Sequence, residues 1–248
     1  MKKLCILMIL ALALTALPAL AAEGDAVVGR EDGDYYYFNY GFAMGNTLYM
    51  VSGGNSLCSY RVGDADMTEY TIEQPEHESE NYGNDFMPFA DGGQLYVIDL
   101  VTSYDEHSQF IGAELYAMSE GEEETFTLEK RADIDWSDLV EYYDQDSYPS
   151  RPENVIGVSG KAVFRAYNNS GNYAVYVLDI ATGRLESVPD LANAYAMTPY
   201  RDGALMVELY SYDHPDVVRL VAYDPADESV QPLAEISVSE YDPFNGLA

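Results

Sequence analysis

The residues with the chemistry to make or break bonds are few and lie far apart in the sequence. Three histidines, His77, His107 and His214, sit in polar turn sequences. No G-x-S-x-G elbow accompanies them, so the sequence carries no recognisable Ser-His-acid nucleophile, and they read as exposed loop residues. The run Glu76-His77-Glu78-Ser79-Glu80 concentrates metal-ligand types but lacks H-E-x-x-H spacing. Consecutive residues of an extended chain point to alternate sides and cannot all reach one ion. Asp64-Ala65-Asp66 and Asp144-Gln145-Asp146 open like calcium loops, yet neither continues to the glycine and terminal glutamate that such a loop needs. The phosphate-cradling G-x-x-x-x-G-K-[ST] is also missing. No catalytic residue, no metal site and no cofactor is therefore predicted. Asn168-Asn169-Ser170 fits a glycosylation sequon but reads more simply as hairpin-turn chemistry.

Tyrosine is the unusual abundance, 23 residues against 8 Phe and one Trp. Clusters at Tyr35-Tyr36-Tyr37 and Tyr142-Tyr143 could stack on sugar rings while nearby carboxylates accept their hydroxyls. The competing reading is structural, because Tyr suits strands at the boundary between core and water. The only Trp lies in an acidic, aromatic stretch from Asp135 through Glu153. There, Asp135 to Tyr143 reads as a short helix capped by Ser137, and Tyr148-Pro149-Ser150-Arg151-Pro152 as an extended return. Function tends to concentrate in loops held on a rigid scaffold, so Trp136, Tyr142, Tyr143 and Tyr148 are the candidate ligand-binding residues. A cover for one repeat unit, or a filler of a central channel, is the alternative role for this stretch.

The amino terminus places Met1-Lys2-Lys3 before an apolar run from Leu4 to Leu17 and then Pro18-Ala19-Leu20-Ala21-Ala22. Positive, apolar and small-residue segments in that order are a signal peptide, residues 1–21, with cleavage expected after Ala21. The apolar run falls short of the roughly 20 residues that cross a bilayer. Cys5 stands near its start, not at its end, so no lipid attachment and no stable membrane anchor after cleavage is expected. Only Cys58 would remain, leaving no partner for an intramolecular disulfide. The formal charge is −31 and becomes more negative when Lys2 and Lys3 leave. Such a field repels phosphate backbones and anionic membranes, which removes nucleic acid from the expected partners. A secreted or extracytoplasmic, acidic protein is the implied class.

One unit recurs four times. Each begins with a turn and an apolar strand: Gly45-Asn46 then Thr47 to Val51, Gly92-Gly93 then Gln94 to Ile98, Ser159-Gly160 then Lys161 to Phe164, and Asp202-Gly203 then Ala204 to Val207. A second strand and turn follow, as in Val175-Tyr176-Val177-Leu178-Asp179-Ile180-Ala181-Thr182-Gly183, and then a third, as in Phe126-Thr127-Leu128-Glu129. With the strand before each glycine, such as Asn154 to Val158, each unit has four antiparallel strands. Unit starts lie about 47, 67 and 43 residues apart, and the Asp135 to Glu153 insertion accounts for the long interval. The predicted fold is all-β, a β-propeller of four four-stranded antiparallel blades at about 38–75, 85–134, 154–190 and 194–236. It carries an insertion at 135–153, an amino-terminal segment at 22–37 and a carboxy-terminal tail at 237–248. Four blades would form a closed small ring or a partial arc of a larger one whose further C-terminal blades or domain are missing.

Leu95-Tyr96-Val97-Ile98-Asp99 and the Val175 to Leu185 run, with its D-x-x-T-G turn, resemble hairpins of secreted bacterial β-propellers in the broad Kelch, quinoprotein and YVTN-like group. The chain departs from quinoprotein enzymes in lacking a Trp in each repeat, and it lacks the S-x-D-x-G-x-T-W boxes of sialidase propellers. A weaker similarity links it to propeller regions at the amino terminus of some secreted solute-binding proteins. The repeat, with no convincing nucleophile, base or cofactor motif, points to a non-enzymatic extracellular binding or interaction propeller whose partner is a glycan, peptide or protein. The alternatives are a carbohydrate-active hydrolase or lyase using paired carboxylates, and a sensory or docking segment of a solute-binding protein.

Overall fold

A computed structural model describes residues 27–28, 41–77, 81–210 and 216–237. The signal segment 1–21, most of the segment 22–37 including Tyr35 to Tyr37, His214 and the tail beyond Ser237 lie outside the described residues. The described chain is all-β. Strand β1 (Val27–Val28) pairs with β2 (Gly41–Met44), which begins an antiparallel meander through β3 (Thr47–Gly53), β4 (Ser56–Arg61) and β5 (Thr68–Ile72). A second meander runs through β6 (Tyr82–Asp91), β7 (Gln94–Ser103), β8 (Gln109–Glu120) and β9 (Thr125–Ile134). After a two-stranded hairpin, β10 (Val140–Tyr143) and β11 (Asp146–Pro149), come two further four-stranded antiparallel sheets. The third comprises β12 (Glu153–Val158), β13 (Lys161–Tyr167), β14 (Tyr173–Asp179) and β15 (Leu185–Ser187). The fourth comprises β16 (Ala194–Pro199), β17 (Leu205–Tyr210), β18 (Val217–Asp224) and β19 (Ser229–Ser237).

These residues form strands because the apolar pattern suits burial on both faces. In β7 the residues from Val97 to Val101 are all buried, which an alternating half-exposed strand would not allow. Leu95 and Val97 point to one side and join Phe42, Leu57 and Phe126 in a cluster between the first and second meanders. Ile98 and Leu100 point to the other and join Phe89, Val155 and Phe164 in a cluster between the second and third. The same split recurs in β13. Phe164 belongs to the second cluster, whereas Val163 packs with Val207 and Tyr223 between the third and fourth sheets. Each sheet therefore hides an apolar face that its predecessor leaves open, and the result is a propeller-like succession.

Two local devices set the register. Ser159 and Gly160 both take positive φ, 52° and 78°, and join β12 to β13 through a two-residue turn whose twist matches antiparallel strands. Asp179 closes the β14–β15 turn, accepting hydrogen bonds at Oδ1 from the Thr182 N–H at 2.9 Å and the Thr182 hydroxyl at 2.8 Å. Its Oδ2 faces Lys161 Nζ at 2.5 Å. That is the physical content of the D-x-x-T-G pattern. Gly183 follows at φ 73°, and a β-carbon there would lie 2.5 Å from the Ala132 β-carbon of β9. The turn thus presses on the preceding sheet with no space for a side chain.

One pairing was not expected from the repeat. The outer strands β5 and β9 run parallel and side by side, with Thr71 opposite Thr125 and Ile72 opposite Phe126. The Thr71 N–H donates to the Glu124 carbonyl at 3.0 Å and the Glu73 N–H to the Phe126 carbonyl at 2.9 Å. The first two meanders and β1 are thereby one nine-stranded sheet.

The insertion also differs from expectation. Ser137 does not cap a helix. Ser137–Leu139 is a single 3-10 turn with Trp136 at the capping position and no side-chain cap bond, and Val140 turns at once into the hairpin. A run of Val140, Tyr142 and Tyr143 favours extended chain over helix, and β10 finds a strand partner in β11.

Candidate functional site

The β10–β11 hairpin is fixed from both sides. Toward the second sheet, the Ser147 N–H donates to the Ser108 carbonyl at 2.7 Å, and Ser108 N–H donates to Asp146 Oδ1 at 2.9 Å. The Phe110 N–H donates to Ser147 Oγ at 2.9 Å. Arg151, just beyond the hairpin, pairs with Asp85 of β6 at 2.6 Å. Toward the third sheet, the Asn169 N–H of the β13–β14 turn donates to the Asp138 carbonyl at 3.1 Å. The backbone of this hairpin is held before any ligand arrives, which lowers the entropy cost of binding.

Trp136 supplies the foundation and not the surface. It is 2% exposed, stacks on Phe164 with ring centroids 5.5 Å apart, and donates its indole N–H to the Ser150 carbonyl at 3.3 Å. Phe164 stacks in turn on Tyr176. Burial of so large an apolar ring outweighs display, so the sequence-based assignment of Trp136 to a ligand surface is corrected. The three tyrosines stand outside. Tyr142 is 73%, Tyr143 64% and Tyr148 42% exposed. Register places Glu141 opposite Tyr148 and Tyr142 opposite Ser147, so Tyr143 and Tyr148 share one face of the ribbon while Tyr142 occupies the other. Ring centroids of Tyr143 and Tyr148 are 6.4 Å apart, and the Tyr143 hydroxyl donates to Glu141 Oε2 at 3.2 Å.

Sequence reasoning missed the continuation of this surface. Tyr167 and Tyr173 flank the β13–β14 turn, are both exposed, and meet edge to face at 5.2 Å. Their meeting is enforced by the turn, where Asn168 Oδ1 accepts from the Ser170 and Asn172 N–H groups, each at 3.1 Å. The Arg165 guanidinium lies 4.4 Å from the Tyr173 ring centre and bonds Glu153, while also reaching the carbonyls of Ala194 and Tyr195 in the fourth sheet. The Tyr173 hydroxyl donates to Glu153 Oε1 at 3.3 Å. The arrangement offers flat aromatic faces beside carboxylates, chemistry suited to sugar rings or peptide groups. A regular tyrosine spacing across a hairpin turn was the available signal.

A second constellation lies at the boundary of the first and second meanders. Asp99 of β7 stands directly opposite Glu114 of β8 and is 0% exposed. Asn84 Nδ2 donates to Asp99 Oδ2 at 2.6 Å and lies 3.3 Å from His77 Nε2. His77 is half-buried against Tyr82, ring centroids 4.7 Å apart, so it is not the exposed loop histidine expected from its polar surroundings. Burial, opposed by the Asn84 hydrogen bond, pushes the Asp99 carboxyl up to about 7. Glu114 is held by Lys130 Nζ at 2.5 Å and by the Tyr116 hydroxyl. These residues come from four segments, which is why no local motif announced them. The available signal was a carboxylate at position 99 inside the otherwise apolar run from Leu95 to Val101.

No family model matches the chain, and no curated protein matches it. Among solved structures, the chain is similar to an oligogalacturonate lyase in complex with manganese, at 12% identity and a TM-score of 0.41. The likeness covers 82% of this chain and 55% of that one, so the chain spans about half the length of that structure.

Proposed function

We propose that this protein is a non-enzymatic, extracytoplasmic binding or interaction propeller of four four-stranded antiparallel blades, recognising an extracellular glycan or peptide through the tyrosine surface around β10–β11. The observation that carries this reading is the placement of Tyr143 and Tyr148 on one face of an exposed ribbon that is bonded to the second meander and, through the preceding turn at Asp138, to the third sheet. Blade order is supported by the buried clusters, which follow the sheets in sequence from first to second, second to third and third to fourth. The signal-like leader and the strong acidity support an extracytoplasmic setting.

The test is binding to glycan and peptide arrays by the full chain and by a Tyr143→Ala/Tyr148→Ala variant. Aromatic contacts worth about 0.5–1.5 kcal/mol each predict a loss of roughly 5- to 150-fold for the pair. Trp136→Ala is unsuited to this purpose, because it removes core and would confound binding with folding. Binding by the double variant equal to wild type would remove the hairpin surface from the proposal.

A further inference from the structure

Buried oxygens without a donor are rare in folded proteins, since leaving one unpaired costs about 1–3 kcal/mol and more when it is charged. Among the described residues three buried side-chain atoms lack a partner: Asn84 Oδ1, Asp99 Oδ1 and the Tyr223 hydroxyl. The first two belong to neighbouring side chains in one place. The side-chain donors nearby are already engaged. Lys130 Nζ bridges Glu114 Oε1 at 2.5 Å and Asp133 Oδ1 at 2.7 Å, and the Tyr116 hydroxyl serves the other Glu114 oxygen. Arg151 is drawn to Asp85 on the opposite face of the sheet. A fully buried carboxylate oxygen is thus aimed into a spot that holds other acceptors.

His77, Asp99 and Glu114 each offer one ligand atom there, and these atoms lie within 4.8 Å of one another. Ligands at the bond lengths of first-row ions, about 2.0–2.2 Å, stand somewhat closer, so small side-chain movements would complete the set. We propose that His77, Asp99 and Glu114 bind a first-row divalent cation, with Asn84 Oδ1 as an adjoining oxygen. One imidazole with two carboxylates suits zinc or manganese and is poorly matched to calcium or magnesium, which take oxygen ligands. The position gives the ion a mechanical role. It joins the connection before β6, which is anchored by the Tyr82 hydroxyl donating to the Pro75 carbonyl at 2.8 Å, to the middle strands of the second meander.

The experiment is equilibrium dialysis of the EDTA-stripped full chain against zinc or manganese chloride, with excess magnesium to occupy the diffuse acidic surface, and bound metal counted by mass spectrometry. Wild type is expected to retain about one equivalent. His77→Ala and Asp99→Asn, each compared at a temperature where its circular dichroism matches wild type, should weaken retention by about tenfold or more. Cobalt-loaded wild type should show visible absorption bands that change in His77→Ala, reporting an imidazole nitrogen in the coordination sphere. Wild type retaining no metal against magnesium would overturn the site, leaving a water molecule to donate to the two oxygens. Retention by His77→Ala equal to wild type would overturn it equally, by assigning the ion to the acidic surface.

Discussion

Gly157 sits on β12, the first strand of the third sheet, against the carboxy-terminal end of β6, the first strand of the second meander. A β-carbon placed there would lie 2.0 Å from the Ala90 carbonyl oxygen, 2.7 Å from the Ala90 carbonyl carbon and 2.9 Å from the Asp91 β-carbon. The obstructing atoms are mostly backbone, so no rotamer change relieves the overlap. Gly157→Ala must therefore part the two strands by about 1 Å, a gap that already forfeits a quarter to a half of the dispersion energy of the atoms on either side. The neighbours at risk include Val155, Ile156 and Phe89, all buried. Overpacking of a tight core costs typically about 1–3 kcal/mol, and a backbone clash of this depth belongs at or above the upper end. Alanine also stiffens the unfolded chain, returning about 0.4–1 kcal/mol. The net loss of about 2–3 kcal/mol corresponds to a melting temperature lower by roughly 4–12 °C in a domain of this size. Thermal and urea unfolding followed by circular dichroism would read it. Gly112→Ala is the control, because nothing lies within 4 Å of the added carbon and its φ is not positive. If the two variants melt alike, the second and third sheets do not abut as described, and the stacking reasoning fails with them.

Two other substitutions probe separate points. Lys161 and the Thr182 bonds hold the Asp179 carboxyl below its usual range, so its contribution to stability is present above the unfolded-state value of 3.8 and is lost as pH falls through the lower folded value. Asp179→Asn should therefore cost about 1–2 kcal/mol at neutral pH, with the deficit shrinking in acid, and a deficit that grows below pH 4 would contradict the assignment. The Tyr223 hydroxyl is buried without a partner, and Tyr223→Phe should leave stability unchanged or raise it by up to about 1 kcal/mol in a denaturant titration. A clear loss would reveal an unrecognised partner for that oxygen.

Much of the architecture was legible in local chemistry. The apolar runs around Leu48, Leu95, Val163 and Leu205 are strands, as their β-branched and aromatic composition predicted, and the turns before β7 and β13 use positive-φ glycines. The D-x-x-T-G turn at Asp179 was readable because one carboxylate serves residues only three apart. What escaped was decided by distance along the chain. Nothing in Thr68 to Ile72 foretells a parallel neighbour in Thr125 to Ile134, since edge pairing depends on how two sheets lean together. Trp136 read as a ligand-binding residue because it lies in an insertion between repeat units, whereas its own ring area drives it under the hairpin. His77, Asp99 and Glu114 converge only when the connection before β6 folds back on the second meander, so their separate surroundings in the sequence gave no hint of a common focus.

The parallel seam between β5 and β9 has a bearing on how the molecule would come apart under load. A pull on the amino-terminal strands can peel β1 to β4 from the free edge, but unfolding passes on to β9 and the second meander only when those edge bonds break. Among the described residues the third and fourth sheets are each a separate four-stranded unit ending at β15 and β19, so they can be stripped off one by one.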